Sequence, residues 1–390
     1  MKTLIKNGRV LTPQRELENG YVLMDGGRIA EVGEGRCGCS ADAEYDAEGR
    51  YVSPGFVDIH THGGGGCDYM DGTPEAFIGA AMAHMAHGTT SIVPTTLTCP
   101  DEELFGAFAC FKEAKKKMRG GPDLLGLHLE GPYFSPAQAG AQDPKYLRLP
   151  EKEHYTRILD ASDDILRMSV AVELPGAMEL IDELRRRGIV VSVGHSDAMY
   201  PDVQRAVEHG CSHVTHLYSG MSMLRRIGPY RHLGVVESAY LIDELSVEII
   251  SDGCHLPPEL LKLIVRQKPW DKICLITDSM RGAGLPEGEI VKLGSLASGQ
   301  DVVIEGGVAM LMDHTAFAGS VCTTDRCVRT MVKKAGVPMA DAVRMMTANP
   351  ARVIGAKGKG ALVPGMDADV CVFDGDVNIK AVFVAGARTV

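Results

Sequence analysis

Two histidines separated by one residue, His60 and His62, end a short apolar segment that begins at Gly55. If the segment is a strand, its side chains alternate between two faces, so the two imidazoles point to the same side. A run of glycines at 63–66 follows and lets the backbone turn closely. Two converging imidazoles can bind one divalent metal ion. The pair alone also fits a strand end whose histidines only make hydrogen bonds. Whether it belongs to a metal site depends on further candidate ligands elsewhere in the chain.

Further residues suited to metal binding or proton transfer end other apolar segments. They are Glu130, His195, His216 and Asp278. Two histidines and one carboxylate are the protein ligands of a catalytic metal site that leaves one position for water. A divalent ion makes water a strong nucleophile at neutral pH, as hydrolysis of an amide requires. Asp278 is then the candidate general base, which accepts a proton from the attacking water and passes it to the leaving nitrogen.

The elements that position these residues follow a regular order. Eight apolar segments alternate with helix-length stretches, among them 74–87, 179–187 and 201–209, over roughly 230 residues. Several of these stretches end at a glycine, as helix C-termini do. The pattern predicts an α/β fold, a (β/α)8 barrel of the TIM type. In such barrels the active site lies at the carboxyl ends of the strands, where the candidate residues stand.

Both ends of the chain are instead rich in short strands and turns. We therefore predict a small β-sandwich domain built from residues 1–53 and 356–390, beside a barrel at 54–355. A β-like excursion at about 289–312 interrupts the barrel after its last strand, ahead of helical segments at about 323–335 and 339–347.

Composition indicates one large globular enzyme. The 390 residues are 45% hydrophobic, enough for a large core, and the net charge of −11 excludes nonspecific nucleic-acid binding. With neither a signal-peptide core nor a run long enough to span a bilayer, we expect a cytoplasmic protein without a membrane partner. The eleven cysteines form no CxxC pair, which disfavours a zinc ribbon or disulfide framework. Cys37 and Cys39 are interpreted as a feature of a loop, not as a site.

Several motifs, taken in order, carry a resemblance to a known family. They are Gly126–Pro132, Gly194–Ser196, Thr215–Tyr218, Ser251–His255, Leu275–Asp278 and Ala348–Gly355. Over essentially the whole chain they resemble the amidohydrolase superfamily and, more narrowly, its N-acetylglucosamine-6-phosphate deacetylases. The resemblance implies hydrolysis of N-acetylglucosamine 6-phosphate to glucosamine 6-phosphate and acetate in amino-sugar catabolism. Zinc is the expected cofactor, with iron or another divalent ion as the alternative, at one or two ions per chain.

The second ion would be held by His60 and His62. Many superfamily members bridge two metals with a modified lysine on strand four, but here that strand ends in Glu173. The bridging role therefore falls to Glu130.

The resemblance also implies substrate contacts, and here the sequence departs from the family. His255 is expected to contact the sugar. Ser219 and Gly220 stand where relatives have Asn-Ala, and Gln142 stands where they have a histidine. Arg231 matches the arginine that binds the sugar phosphate across a dimer interface, so a homodimer is implied. An arginine suits phosphate because it forms paired hydrogen bonds.

Other functions stay open at this point. One alternative is an amidohydrolase acting on a different N-acetyl sugar or on a cyclic or peptide-like amide, as in a dihydroorotase or dipeptidase. Another is a non-catalytic barrel that serves as a scaffold. The intact metal and base residues argue against a scaffold, which has no physical need for them. The sequence leaves the metal, the number of ions and the sugar epimer undecided.

Overall fold

The computed structural model describes residues 1–390 of the chain, and its centre is a set of parallel strands. Eight of them, in chain order, are Phe56–Thr61, Thr89–Pro94, Leu127–Glu130, Ile165–Val170, Val190–Val193, His213–Val214, Ser246–Ile250 and Ile273–Ile276. They are rich in β-branched and other apolar residues and are almost wholly buried, as strands covered on both faces must be. The candidate residues stand at or just after their carboxyl ends.

Hydrogen bonds link these strands in sequence order. The last six form one parallel sheet, and the first two form another with Asp123–Leu124. A parallel bridge between Thr95 and His128 connects the two sheets. The amide of Asp278 donates to the carbonyl of His60 over 2.9 Å, so the last strand also meets the first. All the carboxyl ends therefore converge on one side.

A helix follows each of the first seven strands, as the sequence predicts. These helices are Pro74–Met85, Asp101–Lys117, Lys152–Asp160, Ala177–Arg186, Tyr200–His209, Val235–Leu241 and Pro258–Gln267. Local signals fix their ends: the Thr73 hydroxyl accepts a hydrogen bond from the Ala76 amide at the start of the first helix. Gly210, at a φ of 118°, ends the fifth. The apolar faces of the helices and strands share one core cluster of 65 buried residues.

Strands from the two ends of the chain pair with each other. Their strands are Lys2–Leu11, Glu16–Asp25, Arg28–Glu34, Ala43–Asp46, Tyr51–Pro54, Val370–Phe373, Ile379–Val384 and Ala387–Arg388. They form one hydrogen-bonded sheet, whereas the sequence predicts the two sheets of a sandwich. The reason is the length of Lys2–Leu11, which pairs along one edge with Glu16–Asp25 and along the other with both Ala43–Asp46 and Tyr51–Pro54.

The predicted β excursion is a three-stranded antiparallel sheet of Ile290–Leu293, Gln300–Glu305 and Val308–Leu311. Short helices complete the chain before its final strands: Thr324–Thr330, a π-helical turn at Met331–Ala335, Met339–Met346 and Ala348–Val353. Short paired strands also occur at Gly63–Gly64 with Cys67–Asp68, and at Arg225–Ile227 with Tyr230–His232. No helix is both long and apolar enough to cross a membrane.

Candidate active site

Glu130 lies at the centre of the converging strand ends. Its Oε1 atom is 3.0 Å from Nε2 of His216 and 3.4 Å from Nε2 of both His60 and His195. Its Oε2 atom is 3.2 Å from Nε2 of His62. All of these side chains are buried. The structure therefore brings together the five residues that the sequence predicts as metal ligands.

Asp278 joins the same cluster. Its Oδ1 atom is 3.2 Å from Nε2 of His62 and 3.4 Å from Nε2 of His60. The carboxylate also borders the cavity above the cluster, where a substrate would enter. A general base must lie within reach of both the nucleophile and the leaving group, and this position meets that requirement.

The cluster fits divalent metal ions. Its donor atoms form two groups, one of His60, His62 and Glu130 and one of Glu130, His195 and His216. Ligands bound tetrahedrally at zinc distances lie about 3.4 Å apart, close to the 3.0–3.4 Å observed around Glu130. In addition, Nε2 of His60 is buried without a hydrogen-bond partner. Imidazole and carboxylate donors suit zinc and iron.

Neighbouring groups fix the orientation of these ligands. Nδ1 of His195 is 2.8 Å from the Gln138 carbonyl, and Nδ1 of His60 is 3.2 Å from the Glu248 carboxylate. A carbonyl or carboxylate at Nδ1 holds the proton there and leaves Nε2 free for a metal. His195 and His60 are therefore oriented as metal ligands usually are, whereas Nδ1 of His62 and of His216 is buried without a partner.

The backbone at the site adopts an uncommon conformation. His195 and Asp278 have φ angles of 47°, and His216 has a φ of 25°. Non-glycine residues seldom occupy this left-handed region, which costs on the order of 1–3 kcal/mol each, and such residues cluster at active sites. In each of these residues the conformation follows directly on a strand end. It turns the backbone just where the side chain meets the cluster.

Electrostatics in the cluster favour ionised carboxylates. Burial raises the pKa of Glu130, but His60 and the hydrogen bonds from His195 and His216 outweigh it and hold that pKa well below its ordinary value. For the His60 imidazole, burial acts in the opposite direction and lowers the pKa. The carboxylates of Asp278, Glu130 and Glu248 outweigh burial and raise the pKa of His60 well above its usual range. Binding of a cation therefore has to displace protons from the histidines.

A cavity of about 200 Å³ opens above the cluster. Its wall includes four of the predicted substrate residues, namely Gln142, Ser219, Gly220 and His255. Nδ1 of His255 is 2.8 Å from the Asp252 carboxylate, and its ring packs on Phe317 with centroids 4.6 Å apart. Asp252 thus holds His255 at the cavity wall.

Gln142 has a contact that the sequence did not reveal. Its side-chain amide donates to Oε2 of Glu130 over 2.8 Å, and its Oε1 accepts from the Thr98 amide over 2.9 Å. Both ends of the side-chain amide are therefore engaged within the protein. Gln142 orients the central carboxylate as well as lining the cavity.

Arg231 lies apart from the cavity of its own chain. It belongs to the exposed hairpin of Arg225–Ile227 and Tyr230–His232, and its guanidinium donates to the Pro229 carbonyl over 3.0 Å. Because the hairpin keeps the side chain at the surface, Arg231 does not line the cavity of its own chain, and its role across a dimer interface stays a prediction.

Comparison with known proteins agrees with this geometry. Residues 51–389 match the Amidohydrolase family. The chain belongs to the amidohydrolase family. It is 32% identical to N-acetylgalactosamine-6-phosphate deacetylase of Escherichia coli O157:H7 over 390 residues, which cover 99% of each protein. It is 33% identical to N-acetylglucosamine-6-phosphate deacetylase of Bacillus subtilis (strain 168) over 382 residues, 96% of this chain and 94% of the relative.

Solved structures extend the similarity to the whole fold of this amidohydrolase. A mutant N-acetylglucosamine-6-phosphate deacetylase from Mycobacterium smegmatis, in complex with N-acetyl-D-glucosamine-6-phosphate, superposes with a TM-score of 0.91 at 30% identity. The match covers 100% of this chain and 99% of that one. The enzyme from Pasteurella multocida also gives a TM-score of 0.91, at 28% identity and the same coverage.

The amidohydrolase contains a buried ion pair that the sequence analysis missed. Arg167 and Glu248 lie inside strands, are fully buried and form paired hydrogen bonds. Oε2 of Glu248 also lies 3.2 Å from Nδ1 of His60 and accepts from the His216 amide over 3.3 Å. One carboxylate thus supports a ligand from each metal group. The sequence does contain a signal for this ion pair, because each of the two apolar segments has one charged residue in its middle.

We expect Glu248→Gln to weaken both metal retention and stability. The change keeps the size of the side chain but leaves Arg167 buried without a counter-charge, which typically costs about 3–5 kcal/mol. Loss of a partner that orients a metal ligand typically costs about 10- to 100-fold in affinity. Thermal unfolding and metal titration measure the two effects. Glu173→Gln, in the loop after the strand Ile165–Val170 and outside the cluster, is the control and should change metal affinity little.

The number of ions can be tested at His60. If both groups are filled, His60→Asn should retain about one ion fewer per chain than the unchanged protein, because imidazole ligation is lost from one group only. Metal content of the purified variant gives the answer. Unchanged stoichiometry would mean that the group of His60 and His62 holds no ion of its own.

Proposed function

We propose that this amidohydrolase hydrolyses the N-acetyl group of an N-acetylhexosamine 6-phosphate, foremost N-acetylglucosamine 6-phosphate, to give acetate and the free amine. The observation that carries the proposal is Glu130 with its four surrounding histidines and Asp278 at the base of a cavity of about 200 Å³. The full-length similarity to enzymes with this activity supports it.

The chain's own residues would divide the chemistry as follows. A divalent ion, when bound by the histidines and Glu130, lowers the pKa of a water ligand and polarises the acyl oxygen. Asp278 accepts a proton at its carboxylate from the attacking water and delivers it to the amide nitrogen as the carbon–nitrogen bond breaks. Zinc is the proposed ion, because imidazole and carboxylate ligands suit it.

His255 would position the sugar. The Asp252 carboxylate keeps the proton of His255 on Nδ1, so Nε2 can accept a hydrogen bond from a sugar hydroxyl or the acetamido N–H. Ser219 and Gly220 also line the cavity, where they add a hydroxyl and backbone polar groups.

We further infer that the parallel strands close into a barrel and that the two ends of the chain form a separate domain. The order of the eight parallel strands supports a closed (β/α)8 barrel at 54–355, with residues 1–53 and 356–390 as a second, small β domain.

We also propose a homodimer in which Arg231 of one chain reaches the phosphate bound by its partner. Three apolar side chains on and beside the hairpin support an interface there, because Leu224, Ile227 and Tyr230 are more than half exposed. Light scattering after gel filtration would test the assembly, and a monomer that remains fully active on the phosphorylated sugar would overturn it.

Acetate release tests the function directly. The purified protein, with its metal content measured, is assayed on N-acetylglucosamine 6-phosphate, N-acetylgalactosamine 6-phosphate and the two unphosphorylated sugars. We expect the highest kcat/KM on N-acetylglucosamine 6-phosphate. Preference for the galacto epimer would keep the reaction and change the substrate, whereas no acetate from any of them would overturn the proposal.

Arg231→Ala tests phosphate recognition. A hydrogen bond to a charged group is worth about 1.5–3 kcal/mol, so the variant should raise KM for the phosphorylated sugar by about 10- to 150-fold. Activity on the unphosphorylated sugar should barely change. Arg226→Ala, on the same exposed hairpin, is the matched control. Equal effects on both sugars would contradict the role of Arg231.

A further inference from the structure

Cys37, Cys39 and Glu31 form another group of potential metal ligands, in the sheet built from the chain ends. Their Sγ and carboxylate donor atoms all lie within 4.8 Å of one another. Glu31 belongs to the strand Arg28–Glu34, and both cysteines lie in the loop that follows it. The cysteine spacing alone indicated no site, because the sequence does not show that the loop folds back over Glu31.

The carboxylate of Glu31 is oriented by a neighbour. The Tyr21 phenol donates a hydrogen bond to its Oε1 atom, and this bond raises the pKa of Tyr21 to about 12. The phenol therefore stays protonated and keeps donating at neutral pH. Oε2 of Glu31 makes no hydrogen bond, and one carboxylate oxygen of Glu31 lies in the same group of donor atoms as the two thiols.

The loop that carries the cysteines is hydrogen-bonded to the rest of the protein only at its two ends. The Gly35 amide donates to the Asn19 carbonyl and the Asp42 amide to the Lys2 carbonyl, each over 2.9 Å. Residues 36–41 between them make no hydrogen bonds within the protein. The side chain of Cys37 packs against a small apolar cluster that includes Tyr21. A link from both thiols to Glu31 would tie this loop to the sheet.

We propose that Glu31, Cys37 and Cys39 bind a thiophilic divalent cation, zinc or cadmium, independently of the active site. Two thiolates and a carboxylate give three protein ligands and leave the fourth position of a tetrahedral ion to water. Soft thiolates select zinc-like ions over magnesium or calcium. Binding releases the two thiol protons, so the charge of the three ligands falls by two, from −1 to −3, while the ion supplies two positive charges.

Cadmium titration of the reduced protein tests the site. Cadmium bound to thiolate gives an ultraviolet charge-transfer absorption, which the active site cannot give because its donors are only nitrogen and oxygen. We expect this absorption to saturate at about one cadmium per chain. The double variant Cys37→Ser, Cys39→Ser should lack it and bind one ion fewer. Cys110→Ser, a half-buried single cysteine on a helix, is the control and should keep it.

Two more measurements test the role of Glu31 and the folding of the cysteine variants. Glu31→Gln should weaken cadmium binding by at least about tenfold. Acetate release should be unchanged in every cysteine variant, which shows that they fold and separates this proposal from the proposed function. The inference is overturned if the unchanged protein shows no thiolate absorption, or if the absorption persists in the double serine variant.

Discussion

Asp278→Asn is expected to lower kcat for acetate release by about 100- to 10,000-fold, the usual loss when a general base is removed. The amide keeps the size of the carboxylate but cannot accept a proton. Because Asp278 borders the cavity without being the proposed holder of the sugar, KM should change only a few-fold. Steady-state kinetics on N-acetylglucosamine 6-phosphate measure both quantities.

Metal content must be measured on the same sample. Oδ1 of Asp278 lies 3.2 Å from Nε2 of His62 and 3.4 Å from that of His60, close enough for the carboxylate to serve as a ligand too. A variant that loses turnover but keeps its metal identifies Asp278 as the base. If metal and turnover fall together, the carboxylate acts chiefly as a ligand, and a variant within a few-fold of wild type would move the base role to His255.

Asp58→Asn is the matched control for a buried aspartate. Burial raises the pKa of Asp58 to about 7, so this side chain is already partly protonated at neutral pH. Its Oδ2 accepts from the Thr277 hydroxyl over 2.6 Å, away from the cavity. An amide there replaces a group that is already partly neutral, and turnover should stay within a few-fold of wild type.

Sequence patterns predicted the site well because they are local. A strand that ends in a histidine or a carboxylate places that side chain at the carboxyl edge of a parallel sheet, whatever the details of packing. His60, Glu130, His195, His216 and Asp278 could therefore be assigned from the ends of apolar segments alone, and the structure places them within one cluster.

Long-range contacts were outside the reach of those patterns. Glu248 meets Arg167, which lies 81 residues earlier in the chain, and His60, 188 residues earlier. A charge within an apolar segment shows that a partner is needed but not which one. The same holds for Gln142, whose bond to Glu130 depends on how a loop without regular structure folds back over the site. The role of Arg231 across a dimer interface stays a prediction, because neither the sequence nor a single chain shows which partner a surface hairpin faces.

The backbone conformation at the site could not be predicted from the sequence either. A left-handed φ is uncommon outside glycine, and although histidine and aspartate adopt it more often than most residues, the residue type alone does not mark it at His195 and Asp278. Each residue turns away from its strand, and its side chain still reaches the cluster, His195 at Glu130 and Asp278 at His60 and His62. Strain of this kind becomes visible only when the site is assembled.

His195→Ala should abolish tight metal retention and, with it, turnover. The change removes one of the three protein ligands in the group of Glu130, His195 and His216. The loss should exceed the 10- to 100-fold that removal of a mere supporting residue costs. Metal analysis after dialysis and kcat measured without added metal check the expectation. Full metal content with wild-type turnover would contradict the assignment.

Two further variants separate ligand loss from misfolding. His195→Asn also removes the Nε2 donor, but asparagine tolerates a φ of 47° better than alanine does. His84→Ala empties a comparably buried position, where burial lowers the pKa of the imidazole to about 4 and the ring bonds to the Gly63 carbonyl outside the metal groups. It should lower Tm without loss of metal.

Thermal unfolding with and without a chelator distinguishes loss of the ion from misfolding, because an ion that binds only the folded protein stabilises it. Chelation should lower Tm of wild type and of His84→Ala, but lower Tm of His195→Asn less, because that variant lacks the ion held by Glu130, His195 and His216. A chelator-induced drop in Tm as large in His195→Asn as in wild type would place the bound ion on other residues.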